Sequence, residues 1–177
     1  MNTFYIILHV FGAVIGAGGA YLSDIMFLSS VKDRVVSKTE LRFLKVGSIF
    51  VWFGLVLLVV SGLLIFLSDP SHYANSSKFL IKMFVVLVIF INGLYFHLWH
   101  FPLLHRHSDH HYPSSDEFAR KKKFLVASGV ISITSWTLAL VLGSLSTIPV
   151  SFSTALVSYI ILEVVLVVVV TKFLKLF

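Results

Sequence analysis

The sequence predicts an all-α, polytopic membrane helix bundle of five transmembrane helices, with the N-terminus outside and the C-terminus in the cytoplasm. Three observations carry that prediction. The 177 residues are 58% hydrophobic and only 12% charged, too apolar to be hidden in a water-soluble core. Five stretches, at 4–28, 44–67, 79–101, 124–145 and 152–174, are each long enough to cross about 30 Å of hydrocarbon, which takes roughly 20 apolar residues. The basic residues then fall on one side. Lys32, Arg34, Lys38, Arg42 and Lys45 lie between the first two helices, Arg106, Arg120, Lys121, Lys122 and Lys123 between the third and fourth, and Lys172 and Lys175 at the end of the fifth. Only Lys78 and Lys82 stand opposite, so the positive-inside rule sets the orientation. The formal charge of +6 is thereby accounted for as topology, which removes the reason to expect a nucleic-acid partner. Lipid is the expected surrounding, and a bacterial cytoplasmic (inner) membrane is the expected location.

The chain reads as a single transmembrane domain over 1–177. The first stretch has no basic leader and exceeds a signal-peptide core, so it reads as a retained helix. Its residues His9, Gly12, Ala13, Gly16, Ala20, Ser23 and Asp24 fall on one helical face. That small, polar face suits the close approach of another backbone or of a flat cofactor, and ordinary small-residue helix packing explains it equally well. Ser37 with Glu40, and Ser114 with Glu117, have the spacing of capping boxes, which places the starts of helices two and four on the cytoplasmic side. Short outer loops, 69–78 and 146–151 with Pro149, join the helices on the other side.

On the third helix Lys82, Ile89, Gly93, Phe96 and His97 share a face. Helices one and three run in the same direction, so His9 and Lys82 are expected at one depth near the outer surface, and Asp24 and His97 at another near the inner one. The two layers are about 22 Å apart, from fifteen residues at ~1.5 Å each. Ionisable groups at membrane depth usually face a neighbouring helix or a cavity, which makes Asp24, His97 and Glu163 candidates for proton transfer. The bland readings are a snorkelling Lys82, an interfacial His97 beside Trp99, and helix–helix hydrogen bonds at His9 and Glu163. Ser128, Ser132 and Ser135 make one stripe on the fourth helix and read mainly as packing.

The chain has no cysteine, which excludes disulfides and thiolate ligands and leaves histidine, carboxylate, lysine or a cofactor to carry any chemistry. Six histidines crowd the span from His97 to His111. In the cytoplasmic loop 102–123, His105, His107, Asp109, His110 and His111 could surround one transition-metal ion, and a solvated loop that binds metal weakly is the alternative. His107-x-x-His110-His111 resembles one histidine box of the membrane di-iron desaturases, a family that draws several such boxes from separate segments, where this chain has one.

Leu8-His9-Val10 with the glycine-rich face behind it, and Ile81-Lys82-Met83 before an apolar run, resemble the small haem-containing membrane proteins of the HemJ-type protoporphyrinogen oxidase group, and more loosely CopD-like proteins. The resemblance covers about the first hundred residues. It implies haem b, with His9 as an axial ligand and Lys82 as a second ligand or propionate partner, and a hydrophobic donor such as a quinol or porphyrinogen. Where those oxidases carry polar, aromatic and basic residues between the two motifs, this chain has Ala20-Tyr21-Leu22-Ser23-Asp24. Two other readings stand beside this one: transition-metal binding or transport through the histidine-rich loop, and a noncatalytic membrane assembly protein.

Overall fold

Hydrogen bonding decides the architecture before packing does, because a backbone in hydrocarbon must satisfy its own N–H and C=O groups. The structure, a computed structural model, describes residues 3–33, 37–106 and 116–173, and among these every regular element is helical. In chain order they are α1 (Thr3–Asp33), α2 (Lys38–Ser68), a short α3 (Pro70–Ala74), α4 (Ser77–Tyr95), a π-helical turn (Phe96–His100), α5 (Phe101–Arg106), α6 (Asp116–Ser144) and α7 (Phe152–Phe173). Five helices are long and apolar enough to cross a membrane: α1, α2, α4 continued through the π turn, α6 and α7.

Two of these begin earlier than their apolar runs. α2 starts at Lys38 rather than at 44, because the Ser37 capping box forms: the Glu40 N–H donates to Ser37 Oγ at 3.2 Å and the Ser37 N–H to Glu40 Oε2 at 2.7 Å. α6 starts at Asp116 rather than at 124. Polar, charged turns extend these helices beyond the apolar stretch, so a hydropathy reading places the boundary too late. For α6 the capping residue, Ser114, lies outside the described residues. The expected loop 102–123 is shorter for the same reason: α5 carries helix to Arg106 and α6 resumes at Asp116.

At the α2–α3 corner Asp69 caps α3, its Oδ1 accepting from the His72 N–H at 3.1 Å and from Ser71 Oγ at 3.0 Å. These bonds hold its carboxyl below the ordinary value of 3.8. Across the same surface Lys78, at the start of α4, donates to the carbonyls of Leu145 and Ser146 at the end of α6.

α1 and α2 form a tight antiparallel hairpin, and α6 is the hub that touches α1, α4 and α7. The core gathers around Trp136 of α6, which is 1% exposed, with Ala17, Ala20, Leu55, Leu58, Ile81, Val85 and Ile89. A second apolar cluster closes the basic end, from Phe27, Leu41, Leu44, Leu104 and Leu125. Large apolar side chains such as Phe11, Val14, Phe53, Val56, Ile161 and Val164 point outward. With a lipid bilayer as solvent that exposure costs nothing, and the chain is an integral membrane protein.

Candidate functional site

Three polar clusters sit inside the bundle at different depths. The first joins α1, α2 and α4 at the face where α1 begins. His9 Nδ1 lies 3.0 Å from the Leu58 carbonyl oxygen and 3.1 Å from Ser61 Oγ, and His9 Nε2 lies 3.1 Å from Lys82 Nζ. The Ser61 hydroxyl itself donates to Leu57 O at 2.6 Å. A carbonyl oxygen only accepts, so His9 must carry its ring proton on Nδ1. Nε2 therefore presents a lone pair, and Lys82 donates to it. This is how metal-ligating imidazoles are commonly held, with one nitrogen bonded to a carbonyl and the other free to ligate.

The packing beside the pair is close. A Cβ on Gly62 would stand 3.2 Å from His9 Cε1, tighter than ordinary contact, and one on Gly143 would stand 3.8 Å from Lys82 Nζ, so glycine on α2 lets the imidazole seat against the helix backbone. Of the two donors, imidazole is a type that could hold haem iron. With metal–nitrogen bonds of about 2.0–2.1 Å, the two nitrogens would have to part by about 1 Å to share one metal ion.

The glycine face of α1 does not provide the expected cradle for a macrocycle. A Cβ on Gly12 would meet Leu58 N at 2.7 Å, one on Gly19 would meet Gly47 O at 3.0 Å, and one on Gly16 would run into the Trp136 ring, with Cζ2 at 2.9 Å. Those positions let α2 and Trp136 close on α1 backbone to backbone. Of the two explanations open for this face, helix packing is the one that holds.

The second cluster is at mid-depth. Ser135 Oγ of α6 is 2.8 Å from Tyr159 Oη and donates to Glu163 Oε1 at 3.2 Å, both on α7. The Tyr159 ring meets Phe84 of α4 edge-on. Glu163 Oε2 is buried without a partner.

The third cluster lies toward the basic face. Asp24 takes a hydrogen bond from Ser132 with one oxygen, while its Oδ2 is buried and unpartnered. A cavity of about 70 Å³ opens there, lined by Ser23, Asp24, Asn92, His100, Ser128 and Ser132 among aromatic and apolar walls. Ser23 Oγ and His100 Nδ1 are likewise buried without partners.

His97 is not among these groups. It is exposed, on an open groove with Lys45, Trp52 and Phe101, and its ring stacks on Phe101. The histidine that faces Asp24's cavity is His100, only 5% exposed. Its signal was in the sequence. His100 stands eighteen residues after Lys82, about five whole helical turns at ~3.6 residues each. The π turn then keeps Phe96, His100 and Leu104, four residues apart, on the inward side.

Of the expected metal ligands, His105 is exposed on α5, and His107, Asp109, His110 and His111 lie outside the described residues. Among the described residues no group of three or more His, Cys, Asp or Glu could hold a metal ion. Compared with protein-family models, curated proteins and solved structures, the chain matches none.

Proposed function

We propose that this chain is a haem-binding redox protein of the membrane, with His9 as axial ligand and Lys82 as second ligand or propionate partner, serving a hydrophobic donor such as a quinol or porphyrinogen. The observation that supports it is the hydrogen bond from His9 Nδ1 to the Leu58 carbonyl, which leaves Nε2 as a fixed lone pair facing Lys82. When bound, an iron porphyrin would supply reversible one-electron chemistry. The protein's share is positional. Leu58 and Ser61 fix the tautomer and the ring plane of His9, Gly62 lets the ring seat against α2, and Lys82 brings a cation that offsets a carboxylate-bearing ligand in a medium of low dielectric.

Haem content after purification from haem-replete cells tests the reading. Stoichiometric haem is expected in the wild-type protein and none in His9→Ala. Ser61→Ala removes only a supporting contact and is expected to weaken retention by roughly 10-fold. Haem held equally well by His9→Ala would rule this site out.

A further inference from the structure

Ser128, Ser132 and Ser135 mark one face of α6 at intervals of four and three residues, and each meets a different polar partner. Ser128 Oγ donates to Asn92 Oδ1 at 2.9 Å, and its carbonyl accepts from Asn92 Nδ2 at 3.0 Å. Ser132 bonds Asp24, and Ser135 bonds Tyr159 and Glu163. Adjacent rungs are one helical turn apart, with Cβ atoms about 5–6 Å from each other, within reach of a rotating hydroxyl and a single water. Both carboxyl groups spend one oxygen on a serine and keep the other buried and unpartnered. Helix packing alone needs one polar atom per contact, and a spare buried carboxyl oxygen only adds to its cost. A third spare atom, His100 Nδ1, belongs to a side chain that is 5% exposed and lines the Asp24 cavity near the basic face.

We propose that the α6 hydroxyl ladder is a proton-transfer path, leading from the cavity shared by His100 and Asp24 to Glu163 in the interior. The cavity, about 70 Å³, is large enough for a few waters to join His100 to Asp24. Asp24 passes its proton to Ser132 Oγ as that hydroxyl releases its own toward Ser135. Ser135 does the same toward Glu163. Each transfer forms one O–H bond and breaks one, so no charge remains on serine and one proton has moved from the cavity to Glu163.

The titratable groups on the cavity wall are Asp24 of α1 and His100 of the π turn; α2 and α6 contribute serines, glycine and aromatic or apolar groups. Around Glu163 the titratable neighbour is Tyr159, with Ser135 from α6 and Phe84 from α4 packed close by. Beyond Ser135 the stripe continues as the buried Ala139 and Leu142, so the ladder stops short of the His9–Lys82 pair. It is a one-sided path to an interior acceptor, and its logic does not depend on what His9 binds.

Hydrogen–deuterium exchange of the carboxyl groups, followed by infrared spectroscopy on the full chain in lipid vesicles, tests this. The bands are assigned with Asp24→Asn and Glu163→Gln. Exchange at Glu163 is expected to slow by roughly 100-fold in Asp24→Asn and in Ser132→Ala, the scale of losing one positioned proton carrier. His100→Gln should slow both carboxyls, whereas Glu163→Gln should leave Asp24 unchanged. Ser132→Ala keeps both carboxyls and all three clusters' other members, so it remains informative if Asp24→Asn fails to fold. Unchanged Glu163 exchange in Ser132→Ala, slowed Asp24 exchange in Glu163→Gln, or the absence of a protonated carboxyl band would each overturn the path.

Discussion

At the scale of single residues, the glycines separate packing from cofactor space most sharply. A Cβ on Gly54 would stand 2.7 Å from Gly12 O and collide with the Gly16 backbone, which cannot rotate away. Gly54→Ala is expected to force α1 and α2 apart and to cost about 1–3 kcal/mol, read as a lower midpoint in detergent unfolding. Gly18, with nothing within 4 Å of its added Cβ, is the control: Gly18→Ala should be neutral or stabilising by up to ~1 kcal/mol through helix propensity. Asp69 gives a pH signature outside the membrane. Its carboxyl is held below 3.8, so its contribution to the α3 corner is full above that value and is lost as pH falls through the lower folded one. Asp69→Asn should abolish that acid-side change in His72 exchange protection. The juxtaposition of His9 and Lys82 was legible in the sequence, because two helices running in the same direction carry them at equal depth. The role of the glycines was not: small residues on a face admit a helix and a macrocycle alike, and only the partner's backbone decides.

At the scale of elements, caps were easier to foresee than helix irregularities. Ser37 and Glu40 have a spacing that can satisfy two orphan N–H groups at once, and the box forms as expected; Ser37→Ala should cost about 1 kcal/mol of α2 stability and fray its first turn, seen as faster amide exchange at Glu40 and Leu41. The π turn at Phe96–His100 had no such signal, since nothing in Phe-His-Leu-Trp-His marks a widened turn. Its effect is directional. It aims His100 at the Asp24 cavity, and His100→Leu should keep a buried side chain there while removing the ring nitrogens. The expected result is slowed carboxyl exchange at Asp24 in a protein that still folds; unchanged exchange would mean that His100 is not the entrance.

At the scale of the whole molecule, the bundle is a hairpin of α1 and α2 leaning on a hub, α6, with α4 and α7 around it and apolar side chains turned outward. The number of spans and the apolar core of each followed from hydropathy alone, because no other solvent accepts five such helices, while the starts of α2 and α6 lie earlier than hydropathy places them. Which helix is the hub did not, since α6 is no more apolar than its neighbours and is distinguished by Trp136 and its serine stripe. The charge asymmetry predicts the basic face in the cytoplasm, so a reporter fused after Phe177 should be active only there. The most direct test of a ligand pair made by His9 and Lys82 is the visible absorption spectrum of the detergent-purified protein, oxidised and then reduced, beside His9→Ala and Lys82→Ala. A haem spectrum that vanishes in His9→Ala and shifts in Lys82→Ala is the predicted result. A colourless wild-type protein from haem-replete cells would contradict it.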